Sequence, residues 1–158
     1  MEISEIFARL KQHALEGMVF HDCMVRYFDF LALDEHKERH LCQYEEETEG
    51  YRKLCDYYMS HYNELIPERP MERPDVIPES WYRYSRGDVD SSTRNNAIRV
   101  SSGKWVDWER ATKTLYEEMC KELMDIGEIA SAMFVSRMVK DVSHELAEAE
   151  RAHIDLNK

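Results

Sequence analysis

The four prolines of this 158-residue chain all fall in one short window: Pro67, Pro70, Pro74 and Pro78. The 66 residues before the window and the 80 residues after it contain none. Because proline lacks a backbone N–H and ends helices, this distribution predicts two helical halves joined by a long connection. The chain also has only 5 glycines, which argues against a many-turned β-sandwich or barrel and favours a few long helices.

The first half divides into two predicted helices. Apolar residues recur every three or four positions from Ile3 to Phe28, which is the period of a helix. After the short link at Leu31, Asp34 is the expected N-cap of a second helix that extends to Leu65. Its apolar stripe comprises Leu41, Tyr44, Tyr51, Leu54, Tyr58, Tyr62 and Leu65. A link this short predicts an antiparallel hairpin.

The second half begins with a third helix expected to start near Asp107. Its stripe comprises Trp108, Ala111, Leu115, Met119 and Ile126. Gly127 is a helix stop, and Asp125 and Glu128 have the spacing of a capping box, so we expect a break there. The competing interpretation is one unbroken helix from Asp107 to Leu156. A fourth stripe comprises Val135, Val139, Val142, Leu146, Ala149 and Leu156.

These elements predict an all-α fold, an antiparallel four-helix bundle with one long crossover connection between its second and third helices. A helix of about 30 residues is roughly 45 Å long. The connection, residues 66–104, can travel that length because an extended chain spans roughly 3.3 Å per residue. We expect residues 1–158 to form a single helical domain.

Charge and composition narrow the function classes. The net charge of −11 would repel phosphate backbones, so we expect no nucleic-acid partner. No run of 18 apolar residues occurs, so no membrane span is predicted. The N-terminal residues lack a basic region followed by an apolar one, and the expected location is the cytoplasm. The four cysteines form no Cys-x-x-Cys pair and are expected to be reduced thiols.

Two short segments, one in the second and one in the third predicted helix, are similar to those of a known family. The second helix contains Glu46-Glu47-Thr48-Glu49-Gly50-Tyr51-Arg52-Lys53-Leu54, and the third opens with Asp107-Trp108-Glu109. With the predicted topology, the chain is similar to ferritin/rubrerythrin-type four-helix bundles of the ferritin-like superfamily. That resemblance implies a di-iron centre in which two helices each give a Glu and two give Glu-x-x-His. Here Gly50 stands three residues after Glu47, so the di-iron ligand pattern is incomplete.

We compared residues by their distance along each predicted helix from the end of the bundle that carries the first hairpin. By this measure, one set of acids and histidines lies at the level of Glu47. The fourth helix contains two pairs at the i, i+3 spacing, Asp141 with His144 and Glu150 with His153, but His153 is expected too close to the end of the bundle to join this level. His21 and Glu122 continue apolar stripes, so both are candidates to point inward. The predicted metal ligands are His21, Glu47, Glu118, Glu122, His144 and Glu145. The alternative makes His21 a hydrogen-bonded core residue and the acids boundary or surface groups.

His36 and His40 lie one turn apart on the second helix and could bind a transition metal as an exposed pair. Without a third ligand such a site is weak, and the solvated interpretation is favoured. A peripheral metal site that combines His40 with His153 is a further alternative. It rests only on the similar positions expected for the two residues along the bundle.

Two functions from different classes remain open, and enzymatic activity is left undecided. In the first, the carboxylate and histidine layer binds iron or another transition metal and supports storage or oxidation by dioxygen. In the second, a non-catalytic bundle acts as an interaction or assembly module. Trp81, Tyr82 and Tyr84 lie in an otherwise polar connection and have the composition of a contact patch, so a homo-oligomer is expected.

Overall fold

The computed structural model describes residues 1–157. It contains four long helices: α1 (Ile3–Phe30), α2 (Asp34–Tyr62), α3 (Ser91–Asp125) and α4 (Ile129–Leu156). Residues 1–157 contain no strand, and consecutive helices pack closely in pairs, which confirms the predicted all-α class of four-helix-bundle type. None of the helices in this part of the chain combines the length and apolar character that a bilayer crossing requires.

The chain divides into two compact units. The α1–α2 unit runs from Phe7 to Asn95 and includes the connection. The α3–α4 unit combines Met1–Ile6 with residues 96–157.

The turn between α1 and α2 confirms the predicted hairpin. The N–H of Leu33 donates to the carbonyl of Phe28 at 3.0 Å, and the N–H of Ala32 donates to that of Asp29 at 3.1 Å. With Ala32 in the left-handed region at φ 56°, this is a Schellman C-cap. α2 begins at Asp34, but its N-cap is Leu33 and no side chain caps it, so the predicted N-cap role of Asp34 is wrong.

At the far end of this hairpin, aromatic side chains fill the core. The ring of Phe7 lies 4.9 Å from that of Tyr58, centroid to centroid, and 6.0 Å from that of Tyr62. Leu54 and Tyr58 are buried on α2, as the apolar stripe predicted. These contacts place the N-terminal part of α1 beside the C-terminal part of α2, so the two helices are antiparallel.

The connection follows α1 back toward the turn. Arg69 Nε donates to Gln12 Oε1 at 2.9 Å, and farther along Trp81 packs edge-on against Tyr27 at 5.3 Å between centroids. Arg86 donates to the carbonyls of Asp29 and Phe30. A cation at the last carbonyls of a helix satisfies acceptors that have no partner within the helix. Trp81 and Arg86 lie in two short 3₁₀ helices, residues 79–83 and 86–88.

α3 begins at Ser91 rather than near Asp107, so the predicted start was wrong. The Asp90 side chain caps this end, because its Oδ1 accepts the N–H of Thr93 at 2.7 Å. The turns before Asp107 have the serine and asparagine content of a loop. They are helical nonetheless, and buried Ser101 satisfies its hydroxyl within them by donating to the carbonyl of Ala97 at 2.7 Å.

The buried face of α3 also differs from the predicted stripe. It comprises Ala97, Ile98, Ser101, Ser102, Trp105, Val106, Glu109, Thr112, Tyr116, Met119 and Leu123. Of the predicted stripe only Met119 belongs to it, and Ile126 is 43% exposed. The predicted register was therefore offset, because polar Glu109 and Thr112 occupy inward positions.

The break between α3 and α4 is confirmed, and the unbroken-helix alternative is wrong. Gly127 has φ 79°, and the N–H of Glu128 donates to the carbonyl of Leu123 at 2.9 Å, which makes a second Schellman motif. The N-cap of α4 is Glu128 without a side-chain cap, so the predicted capping box with Asp125 does not form. Cys120 Sγ contacts the carbonyl of Ala132 at 3.4 Å, so the chain reverses and α4 runs back along α3.

Candidate metal centre

The first half of α2 buries polar residues where its second half buries Leu54 and Tyr58. His40 is 4% exposed and Gln43 is 5% exposed. Glu47 is half-buried one turn farther on. Spacings of three and four residues place these side chains on one face of the helix. Burying polar groups costs free energy unless they are satisfied, so this face is a candidate for function.

His21 on α1 meets this face. Its side chain is fully buried, and its Nδ1 lies 3.0 Å from Nδ1 of His40 in a hydrogen bond. The two rings stack with centroids 5.3 Å apart. A hydrogen bond between two Nδ1 atoms requires one ring to donate and the other to accept, so the pair fixes opposite roles at the two nitrogens.

Both imidazoles are neutral at neutral pH. Burial lowers the pKa of His21 to about 3, and the charge of Glu46 opposes this only weakly. Burial also holds the pKa of His40 well below its usual value, with a smaller contribution from His21 itself. Neutral imidazole is the form that binds metals, so the pair keeps a ligand nitrogen ready over the whole physiological range of pH.

Glu47 supplies a carboxylate close to this pair. A ligand nitrogen of His21 and a carboxylate oxygen of Glu47 lie within 4.8 Å of one another. Two ligands on opposite sides of one ion are separated by roughly 4 Å, since each bond is about 2.1 Å. Of the six predicted ligands, the α1–α2 unit therefore brings His21 and Glu47 together as a candidate His/Glu cluster.

Sequence reasoning named His40 only in an exposed pair with His36 and in a peripheral site with His153, and it did not choose Glu109 as a ligand. The exposed pair predicted from His36 and His40 is wrong about His40, which is buried against His21. His36 is half-buried, and its ring lies 5.2 Å from that of Phe28. The signal for His40 was the spacing of His40, Gln43 and Glu47, but such a polar face is also typical of a solvated helix.

Glu109, in the α3–α4 unit, is fully buried. Its Oε1 accepts a hydrogen bond from Trp105 Nε1 at 3.3 Å. It was noted in the ferritin-like run at the start of the predicted third helix but was not chosen as a ligand. The predicted apolar stripe of this helix contained Trp108, which placed Glu109 outside the core. In the structure the buried face contains Trp105, and Glu109 follows it by one helical turn.

The other four predicted ligands lie in the α3–α4 unit. Glu118 and His144 are exposed, and Glu145 is half-buried. Glu122 is 40% exposed and pairs with the amino terminus of Met1 at 3.8 Å. None of the four joins a group of three ligand-type side chains within residues 1–157. Their ligand roles stay predictions. His153, suggested from the sequence as a peripheral ligand together with His40, is hydrogen-bonded to Ser102, with 2.6 Å between its Nδ1 and the serine Oγ.

No protein-family model, no curated protein and no solved structure matches this chain. The similarity to ferritins therefore stays at the level of an all-α helical fold with a candidate cluster of histidine and glutamate.

Proposed function

We propose that the protein binds one divalent transition-metal ion through a His/Glu set of the α1–α2 unit, made of His21 and Glu47. The observation that carries the proposal is the buried, neutral imidazole of His21 with a Glu47 oxygen within 4.8 Å of a ligand nitrogen. The carboxylate offsets part of the charge of a divalent ion, and a neutral imidazole adds affinity without adding charge.

His40 would act as the positioning residue of this set. In one tautomer, His21 donates its Nδ1–H to Nδ1 of His40 and keeps the lone pair on its own Nε2 for the metal. A hydrogen bond to the second ring nitrogen of a ligating histidine fixes its orientation and raises its basicity. Replacing His40 should therefore weaken binding without removing a ligand.

Iron is the metal we propose first, because carboxylates and imidazole suit it and because the resemblance to ferritins implies it. One ion is proposed rather than two, since Gly50 takes the place of the second-helix histidine. When bound at a site with open positions, iron supplies reactivity toward dioxygen.

The test is an anaerobic titration of the chelator-treated chain with ferrous, manganous or zinc ion, followed by dialysis and elemental analysis. We expect about one ion per chain and a metal-dependent rise in Tm, because a ligand that binds only the folded state stabilises it. His21→Ala and Glu47→Ala should each lower the affinity by about tenfold or more. Glu45→Ala, at an exposed position of α2, is the matched control.

Binding that survives in His21→Ala, or a wild-type chain that retains no metal after dialysis, would refute the centre. Oxidation of ferrous iron no faster than in buffer would remove the redox part of the proposal while leaving metal binding in place.

A second proposal concerns assembly. We propose that two or more copies associate through Tyr82 and Tyr84, which are 68% and 45% exposed. Trp81, the third member of the predicted patch, packs against Tyr27 and Phe30 in its own chain. Tyr82→Ser should therefore reduce the mass measured by light scattering. An unchanged mass would count against the patch.

The matched control for that experiment is Val100→Ser. This substitution also removes an exposed apolar side chain, 45% accessible, from a different helix. Trp81→Ala is less informative because it also removes packing on α1.

A further inference from the structure

Gln43 carries a buried amide on the face of α2 that also bears His40 and Glu47. Its side chain is 5% exposed, and within residues 1–157 its Oε1 is buried and has no hydrogen-bond partner. Most buried side-chain oxygens in proteins accept a hydrogen bond, because losing water without a replacement costs free energy. A buried acceptor of this kind indicates a ligand that the described chain does not itself supply.

On this face, Gln43 lies between two residues of the candidate centre. It follows His40 by three residues and precedes Glu47 by four, and helical residues at these spacings have Cβ atoms about 5–6 Å apart. His40 is hydrogen-bonded to His21 of α1 at 3.0 Å, and a Glu47 oxygen lies within 4.8 Å of a ligand nitrogen of His21. Gln43 therefore shares the face on which both proposed ligands meet, and all four residues belong to the α1–α2 unit.

Gln12, in the same unit, shows how a glutamine with a structural role is bonded. Its Oε1 accepts a hydrogen bond from Arg69 Nε at 2.9 Å, and its Nε2 donates to Glu16 Oε1 at 3.0 Å. Both ends of that amide are satisfied by other side chains, whereas the more deeply buried Oε1 of Gln43 is not satisfied within residues 1–157. Fold stability alone therefore gives no reason for a carbonyl oxygen at Gln43.

An amide carbonyl is chemically suited to a metal ion at this place. Its oxygen is a neutral, hard donor with two lone pairs, and carbonyl and carboxylate oxygens suit manganous ion, which takes up to six ligands. Zinc is satisfied by four ligands and binds imidazole and thiolate well. A set of one imidazole, one carboxylate and one carbonyl oxygen therefore favours an ion that accepts several oxygen ligands over zinc.

We propose that the side-chain carbonyl of Gln43 is a third protein ligand of the centre and sets its metal preference. It raises the affinity for manganous or ferrous ion more than the affinity for zinc. This inference rests on the metal centre proposed above, made of His21 and Glu47, and adds to it a residue type that a search for histidines, cysteines and carboxylates passes over. The alternative is that Oε1 of Gln43 is satisfied by a buried water.

The test titrates the chelator-treated full chain with manganous ion, following the free ion by electron paramagnetic resonance, and with zinc in competition with an indicator dye. Gln43→Leu should lower the manganous affinity by about tenfold, because a ligand is lost. Its zinc affinity should fall by less than about threefold, since water can complete four ligands around zinc. Glu45→Leu introduces the same side chain at an exposed position of α2 and should change neither affinity.

Gln43→Glu provides a second variant with a readout that a purely structural glutamine would not change. The added carboxylate is buried, so the Tm of the metal-free variant should fall below that of the wild type. Bound to the ion, the same carboxylate is compensated, so the rise in Tm on adding manganous ion should exceed the rise in the wild type. If Oε1 of Gln43 only holds a water, the rise should be no larger than in the wild type.

The outcomes separate this inference from the metal centre on which it rests. A wild-type chain that binds manganous ion while Gln43→Leu binds it equally well would overturn the role of Gln43 and leave His21 and Glu47 in place. Equal losses of manganous and zinc affinity in Gln43→Leu would overturn the metal preference. A wild-type chain that binds neither ion would refute the centre itself, and the inference with it.

Discussion

The two ends of the α1–α2 hairpin both bury apolar side chains, but only the turn end also buries a pair of histidines. At the far end, Phe7 packs on Tyr58, and Leu54 is fully buried. At the turn end, the same pair of helices buries His21 and His40. Apolar burial contributes roughly 25 cal/mol per Å², whereas polar burial costs free energy unless it is compensated. The far end therefore stabilises the hairpin, and the turn end is better explained by a ligand than by stability.

The two ends also differ in how α1 and α2 terminate. Ala32 ends α1 with φ 56°, and Asn63 ends α2 with φ 57°. Asparagine tolerates the left-handed region, but alanine is strained there. Gly127, at the corresponding position after α3, has no such strain. The turn end of the hairpin thus combines a strained cap with a buried pair of histidines.

The largest expected effect tests the far end. Leu54→Ala removes a side chain with no exposed surface and leaves a cavity, so the free energy of unfolding should fall by about 3 kcal/mol. Urea denaturation measures the loss. Leu65→Ala, at a position 78% exposed, should change stability by less than about 0.5 kcal/mol. A small effect of Leu54→Ala would mean that the aromatic end does not stabilise the hairpin.

Lowering the pH should destabilise the folded chain through the histidines at the turn end of the hairpin. The folded pKa of His21 is about 3, below the ordinary 6.5, so the unfolded chain binds a proton that the folded chain rejects. Stability is therefore greatest above pH 6.5 and falls as the pH drops toward 3. At pH 5 we expect a loss on the order of 2 kcal/mol from His21.

Urea denaturation of the chelator-treated chain at pH 7.5 and pH 5 measures this loss. His21→Phe should flatten the dependence, and Leu54→Ala should leave it unchanged. Some slope will remain, because burial lowers the pKa of His13 to about 4 and that of His40 as well. An equal slope in wild type and His21→Phe would contradict the assignment of a buried neutral imidazole.

A substitution at Gln43 tests whether the polar face of α2 serves ligand binding rather than stability. Its Oε1 is buried without a hydrogen-bond partner. Gln43→Leu should therefore raise the stability of the metal-free chain by about 1 kcal/mol. Gln12→Leu should instead lower stability, because Gln12 bonds with both Arg69 and Glu16. Thermal unfolding of the two variants, compared in parallel, decides the matter; a destabilised Gln43→Leu would show that its amide is satisfied.

The smallest effect concerns the caps. Ala32→Gly should relieve the left-handed strain and, after the entropy cost of glycine, stabilise the chain by about 0.5 kcal/mol. Gly127→Ala should do the reverse by about 1 kcal/mol. Differential scanning calorimetry can resolve both shifts in Tm. Equal and opposite changes are not required, but a destabilising Ala32→Gly would show that the cap at Ala32 carries no strain.

Local rules in the sequence determined the helices and their breaks. The proline window at Pro67–Pro78 separates α2 from α3, and Gly127 ends α3 because it readily takes a positive φ. Three- and four-residue spacing was sufficient for α1. The same rules failed at Ser91–Val106, because serine-rich helical turns have the composition of a loop until their neighbours bury them.

The tertiary structure decided which polar residues face inward. Periodicity shows that His40, Gln43 and Glu47 share one side of α2, but a polar side is ordinarily turned to water. In the folded chain, His21 of α1 contacts His40 on that side, and burial lowers the pKa of His40. Glu109 was missed for the same reason, since the direction in which a helix face points depends on contacts between residues far apart in the chain.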